Sequence, residues 1–297
     1  MDNVKVLHYD AFSPYRDKGN PAGVVLNADH LSDSDMLSIA QKVGFNETVF
    51  VVASDKADLR LKYFTPGHEI NLCGHATIAS LYALKTSGAL GEVSSVHIET
   101  NVGVLPVQFS LDIHNHMTVQ MKQDYPAFIE YNGDKARLSH AIGLAAEELD
   151  EKLPIVYGST GTWTLLVPIK RLESFYRMKP KSMLFPEILT ELPKASIHPF
   201  CFETLNSEAM MHARHFSSPY SGTVEDPVTG TASGVMGAYY LKYIDHHAET
   251  KKFVVEQGQE IGRDGKVNVE VNRMEVDKLD VFISGTAVFV GELDIWI

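Results

Sequence analysis

Two nine-residue segments of this 297-residue chain align without a gap at a displacement of 156 positions: Glu69-Ile70-Asn71-Leu72-Cys73-Gly74-His75-Ala76-Thr77 and Glu225-Asp226-Pro227-Val228-Thr229-Gly230-Thr231-Ala232-Ser233. Only Glu, Gly and Ala are identical, but the flanks agree. Phe64-Thr65-Pro66 precedes the first copy and Phe216-Ser217-Ser218-Pro219 the second, and each copy runs into an apolar stretch rich in small residues and tyrosine. A displacement of about half the chain implies two copies of one domain and excludes a solenoid, whose repeats span roughly 20–50 residues. The length suits that division, because single hydrophobic cores stop growing near ~250–300 residues.

Each half mixes short β-rich runs with helical segments. Alternation of Val, Phe and Tyr predicts strands at 4–12, 22–27, 47–53, 59–65, 95–99, 104–110 and 117–122, with a turn at 112–115. Ser32-Asp33-Ser34-Asp35 opens an amphipathic helix that Gly44 ends. The stretch 74–85 is apolar on nearly every side, as expected of a helix enclosed by other structure. From 125 to 150 the chain turns polar and irregular, with a short acidic helix at 145–149, so the domain crossover falls there. The expected domains are 1–122, joined by a returning segment 285–297, and 123–284. In the second, strands are expected at 155–158, 163–169, 197–202 and 210–216 and helices at 171–178 and 182–192.

Charge and motif content exclude several functions. Lys+Arg 26 against Asp+Glu 38 gives a net charge of -12, with no basic run to neutralise a phosphate backbone, so neither nucleic acid nor an anionic membrane is expected as a partner. No run of about 18 apolar residues occurs and the N-terminus lacks a signal-peptide pattern, which predicts a cytoplasmic protein. Cys73 and Cys201 form no CxxC pair, and His114/His116 and His246/His247 lack accompanying ligands, so no metal is expected. There is no GxxxxGK[ST], HExxH or GxSxG, and Gly158-Ser159-Thr160-Gly161 lacks the spacing of a dinucleotide loop; no cofactor is called for.

What remains is acid/base chemistry at helix starts. Cys73-Gly74-His75 and Thr229-Gly230-Thr231 each place backbone N–H groups at the positive end of a helix dipole, which binds carboxylate or phosphate. If the halves are related by a pseudo-twofold axis, the two ends face each other across an interdomain cleft. The plainer alternative is that small residues permit close packing and the polar ones cap. Glu47 lies at the junction of the first helix and the next strand, where a partly buried carboxylate is fitted to take and return a proton. Gly19-Asn20-Pro21-Ala22-Gly23 reads alone as turn punctuation.

Taken together, the early Gly-Asn-Pro-Ala-Gly-Val-Val, Phe-Asn-Glu-Thr-Val-Phe around Glu47, the segments 64–77 and 225–232, and Gly-Thr-Ala-Val-Phe-Val-Gly-Glu-Leu at 285–293 resemble the phenazine-biosynthesis PhzF-like family of the diaminopimelate-epimerase superfamily. The resemblance implies an α+β fold of two pseudo-symmetric domains, each a β-barrel-like sheet around a central helix, and a homodimer. It implies that Glu47 is the general acid/base, that His75 and Asp226 are further catalytic positions, and that Thr231 stands where the family often has Ser. Asn20, Cys73, Gly74, Thr229, Gly230 and Thr231 are the expected substrate-binding residues. Superfamily epimerases use paired thiols; here Cys73 is opposed by Thr229, whose hydroxyl has too high a pKa to replace a thiolate. The expected activity is cofactor-independent isomerisation of a small carboxylate-bearing metabolite by Glu-mediated proton transfer. The alternatives are an epimerase or racemase using Glu47 and Cys73, and a non-catalytic ligand-binding or interaction protein.

Overall fold

The computed structural model describes residues 3–112, 114–275 and 278–297, and its contacts divide the chain into two units, Met1–Lys122 with Ser284–Ile297 and Gln123–Ile283. In the first, β1 (Asn3–Ala11) pairs antiparallel with β2 (Asn20–Val25), β2 parallel with β3 (Thr48–Val52), and β3 antiparallel with β4 (Leu59–Phe64), which pairs antiparallel with the short β5 (Glu69–Ile70). The parallel β2–β3 step needs a crossover, supplied by α1 (Asp33–Val43). Ser32 and Asp35 cap that helix reciprocally: the Ser32 hydroxyl accepts from Asp35 N at 3.2 Å, and the Asp35 carboxylate from Ser32 N at 3.0 Å. Gly44, at φ 72°, closes it in the left-handed region.

The central helix α2 (Gly74–Thr86) follows, then β6 (Ser95–Thr100), which pairs parallel with β4 and antiparallel with β7 (Gly103–Leu111), and β8 (Met117–Lys122), antiparallel to β7. The turn expected at 112–115 closes with Asp112 N donating to His116 O at 2.9 Å; residue 113 lies outside the described residues. α2 packs on β1, β2, β3 and β8, so the sheet wraps it, and even its Thr77 and Ser80 are fully buried. Thr77 is accommodated because the Tyr63 hydroxyl meets its Oγ1 at 2.6 Å.

The second unit repeats the plan. β9 (Ala127–Glu130) pairs with β10 (Val156–Ser159), β10 antiparallel with β11 (Trp163–Pro168), β11 parallel with β12 (Ser196–Cys201), and β12 antiparallel with β13 (Met211–Ala213). The central helix, here the fifth, is Gly230–Tyr243; β14 (Thr250–Gln257) then runs parallel to β13 and antiparallel to β15 (Gly265–Glu275), before β16 (Lys278–Gly285). The two central helices start 156 residues apart, and the Phe64↔Glu69 pairing of the first unit recurs as a Phe216↔Glu225 bridge. β17 (Ala287–Trp296) lies along β1 in the first unit, as β9 lies along β10 in the second. Among the described residues no helix is long and apolar enough to cross a membrane.

Some expected elements are corrected. The stretch 125–150 is not irregular throughout: it holds β9 and α3 (Lys135–Ile142), capped by Asp134 accepting from Ala136 N at 2.7 Å and burying Leu138, Ala141 and Ile142. The acidic helix at 145–149 is a 3-10 turn, Ala146–Glu148, and that at 171–178 is the 3-10 segment Leu172–Arg177. The one at 182–192 divides into Ser182–Leu184 and the single turn α4 (Phe185–Ile188), because Pro186 suits only the first turn of a helix, and Leu189 already leaves the helical region. The strand at 210–216 shortens to β13.

Gly19 precedes β2 at φ 68°, and a Cβ there would fall 2.2 Å from Ala11 O. Gly19→Ala is expected to cost roughly 1–3 kcal/mol, from left-handed strain plus displacement of β1. A urea midpoint equal to wild type would contradict this.

Candidate active site

Glu47 ends the turn between α1 and β3, with its carbonyl accepting from Gly23 N at 3.2 Å and its side chain 18% exposed. The turn is braced by Phe45, whose ring lies 4.4 Å from that of His8. His75, the second residue of α2, is buried, and its Nε2 stands 3.1 Å from Glu47 Oε2. On the other side of the ring, Nδ1 is 3.3 Å from Asn20 Nδ2 and 3.4 Å from Cys73 Sγ. Asn20 is fully buried at the start of β2. In the neutral ring, with the Asn20 amide donating, Nδ1 accepts and Nε2 carries the proton; in the charged ring both nitrogens are donors.

Burial by itself would hold the His75 imidazole neutral, but its interactions with Cys73 and the Glu47 carboxylate outweigh burial and lift His75 well above its ordinary value. Burial also pushes the Cys73 thiol up, against the pull of His75. A thiol so raised is protonated at neutral pH, so we credit the shift of His75 to the Glu47 carboxylate 3.1 Å away.

The second loop is held differently. Asp226 N donates to His215 O at 3.0 Å, and Thr229 Oγ1 donates to Asp226 Oδ2 at 2.5 Å. Gln257, fully buried at the end of β14, clamps both: its Nε2 donates to Asp226 O at 2.8 Å and its Oε1 accepts from Thr229 N at 3.1 Å. Thr160 Oγ1 donates to Thr231 O at 3.0 Å, just inside the central helix. Glu225 is spent on Arg214, with contacts of 2.8 and 2.6 Å.

Cys73 and Thr229 are both extended N-cap residues, yet neither side chain makes a capping hydrogen bond. Thr77 and Ser233, also 156 apart, turn back onto the carbonyls of Cys73 and Thr229 at 2.7 and 2.9 Å. The plain capping alternative therefore does not hold for these two residues. The structure gathers Asn20, Glu47, Cys73 and His75 around the start of α2 in one unit, with Gly74 in its first turn; it gathers Asp226, Thr229, Gly230 and Thr231 in the other. Gln257 and Thr160 were not expected, since a Gln closing an alternating strand and a Thr in a Ser-Thr-Gly turn carry no motif. Gln257→Met keeps the volume but removes the hydrogen bonds of Gln257 with Thr229 N–H and Asp226 C=O, so a loss of about 1–3 kcal/mol is expected by chemical denaturation. An unchanged midpoint would mean the clamp is idle.

A profile of the family described as phenazine biosynthesis-like protein (PhzC-PhzF) matches residues 9–292. The uncharacterized isomerase YfhB of Bacillus subtilis is 51% identical over 289 residues, covering 97% of each chain. The crystal structure of a Bacillus anthracis phenazine biosynthesis protein of the PhzF family superposes with a TM-score of 0.98 at 51% identity over 100% of both chains. One from Enterococcus faecalis has a TM-score of 0.77 at 22% identity over 100% of both chains, a likeness of fold.

Proposed function

Since this chain belongs to the phenazine biosynthesis-like (PhzC-PhzF) family and is an enzyme of the isomerase/epimerase type, we propose that it shifts a C–H proton within a small carboxylate-bearing metabolite, with Glu47 taking and returning the proton. The observation that carries this reading is the contact of 3.1 Å between Glu47 Oε2 and His75 Nε2. The imidazole beside Oε2 stabilises the carboxylate charge before and after each transfer and leaves Oε1 to take the substrate proton. The partial exposure of Glu47 keeps it within reach of a ligand. A single carboxylate suffices for a shift on one face of the substrate, because no second base is required.

The proposed anion-binding groups are the helix-start N–H groups of Gly74-His75 in the first unit and of Gly230-Thr231 in the second. Asp226, whose role rests on the family resemblance, orients the substrate; so do Asn20 and Thr229. Independence of any cofactor and a homodimeric assembly belong to the same proposal. The 3.4 Å contact of Cys73 with His75 favours a second reading, in which Glu47 and Cys73 are unlike bases of an epimerase. The raised thiol weighs against it.

Incubating a pool of small cellular acids with the protein in D₂O tests the reading. We expect one compound to become a positional isomer, and only when Glu47 is intact. A compound that gains deuterium at an inverted stereocentre moves the assignment to the epimerase, and a pool left unchanged rejects catalysis on such acids.

A further inference from the structure

We propose that Glu47, Cys73 and His75 form a binding site for a thiophilic divalent cation of the zinc class. Residues 47, 73 and 75 have no ligand spacing along the chain, and it is the fold that converges them: one thiol, one imidazole and one carboxylate place ligand atoms within 4.8 Å of one another. Among the described residues this is the one such group of three. A tetrahedral zinc, with bonds of ~2.3 Å to sulfur and ~2.0–2.1 Å to nitrogen and oxygen, sets its ligands about 3.3–3.6 Å apart. Here Nε2 lies 3.1 Å from Glu47 Oε2 and 3.8 Å from Cys73 Sγ, which also sits 3.4 Å from Nδ1, so the Cys73 side chain turns about its Cα–Cβ bond toward Nε2 to complete a three-ligand face.

The donor set of soft sulfur, borderline nitrogen and hard oxygen suits Zn²⁺ over Mg²⁺ or Ca²⁺, which take oxygen ligands. Glu47 Oε2 is enclosed without a well-aligned hydrogen bond and has a lone pair to give. Asn20, 3.3 Å from Nδ1, holds the imidazole by its amide, presenting its oxygen once that nitrogen bears the ring proton. On binding, the Cys73 S–H proton and any proton on Nε2 pass to solvent as the metal–sulfur and metal–nitrogen bonds form. Cys73 and His75 are buried while Glu47 opens outward, so the fourth position faces the open side, as in three-ligand zinc sites that keep an exchangeable position. On the function proposed above, occupation takes the Glu47 lone pair and Zn²⁺ inhibits turnover.

The test titrates the metal-free full-length protein with Co²⁺, whose near-ultraviolet charge-transfer absorption reports a thiolate ligand. We expect a band saturating at one Co²⁺ per chain, displaced by Zn²⁺, lost in Cys73→Ser and retained in Cys201→Ser. Histidine pairs such as His114/His116 contribute no sulfur band. No band in wild type, or one that survives Cys73→Ser, overturns the proposal. Should Cys73→Ser lose its circular-dichroism signature, Glu47→Gln decides: a fall of at least ~10-fold in Co²⁺ affinity supports the site, and unchanged affinity rejects it. Intact binding without inhibition by Zn²⁺ would count against Glu47 as the proton carrier and leave the metal site standing.

Discussion

Glu47→Gln is expected to lower turnover about 10²–10⁴-fold while leaving the unfolding midpoint near wild type, the range of a positioned general acid/base. Glutamine matches the carboxylate in shape, and the Glu47 carbonyl still accepts from Gly23 N, so the turn entering β3 keeps its anchor. What is lost is basicity and charge. The carboxylate that lifts His75 disappears, so the ring titrates at lower pH in the variant, and nitrogen NMR of His75 follows that change independently of any substrate. Full activity on the true substrate, combined with a lowered His75, would mean that Glu47 tunes the histidine without carrying the proton.

The parts of this molecule that could be read from residue order are those where local chemistry and tertiary need coincide. Ser32, Asp35 and Gly44 announce α1 because caps and helix share a single turn at each end. The paired central helices are legible because a helix buried on all sides must be apolar on all sides, and both copies carry Gly at the first helical position. β9 and α3 were missed for the opposite reason. The exposed face of β9 hides its alternation, and eight residues give α3 barely two turns of period. At the site, Glu47, His75 and Cys73 were nameable, but their convergence within 4.8 Å was not, since it depends on β2, β3 and α2 packing together. Gln257 was invisible because its clamp on Asp226 and Thr229 joins positions about thirty residues apart that share no pattern.

The same long-range packing sets the expected acid response of the second unit. His198 and His215 face each other there, Nδ1 to Nδ1 at 3.2 Å, with Met236 Sδ 3.1 Å from the far nitrogen of His198. Both are buried, and burial pushes both down: His215 to about 4, and His198 well below its ordinary value, with the neighbouring His215 adding to the effect. A histidine whose folded pKa is depressed binds its proton in the unfolded chain first. Stability is therefore whole above the unfolded value near 6.5, and falls with pH until the folded group also titrates. For His215 that window runs from about 6.5 to about 4 and amounts to about 3 kcal/mol. His212 works in the other sense: its ring is disfavoured by burial but held charged by Glu256 and Glu260 at 2.9 and 2.8 Å, so its contribution is full below ~6.5 and fades as pH rises. Comparison of wild type with His215→Gln separates the two, because His212 and its glutamates are common to both. Urea unfolding followed from pH 7 to pH 4 should show wild type losing about 3 kcal/mol more than the variant. Parallel curves would mean that the buried pair finds a proton acceptor or water on acidification, and that the acid limb belongs to Glu256, whose depressed carboxyl loses its contribution only below its unfolded value of ~4.3.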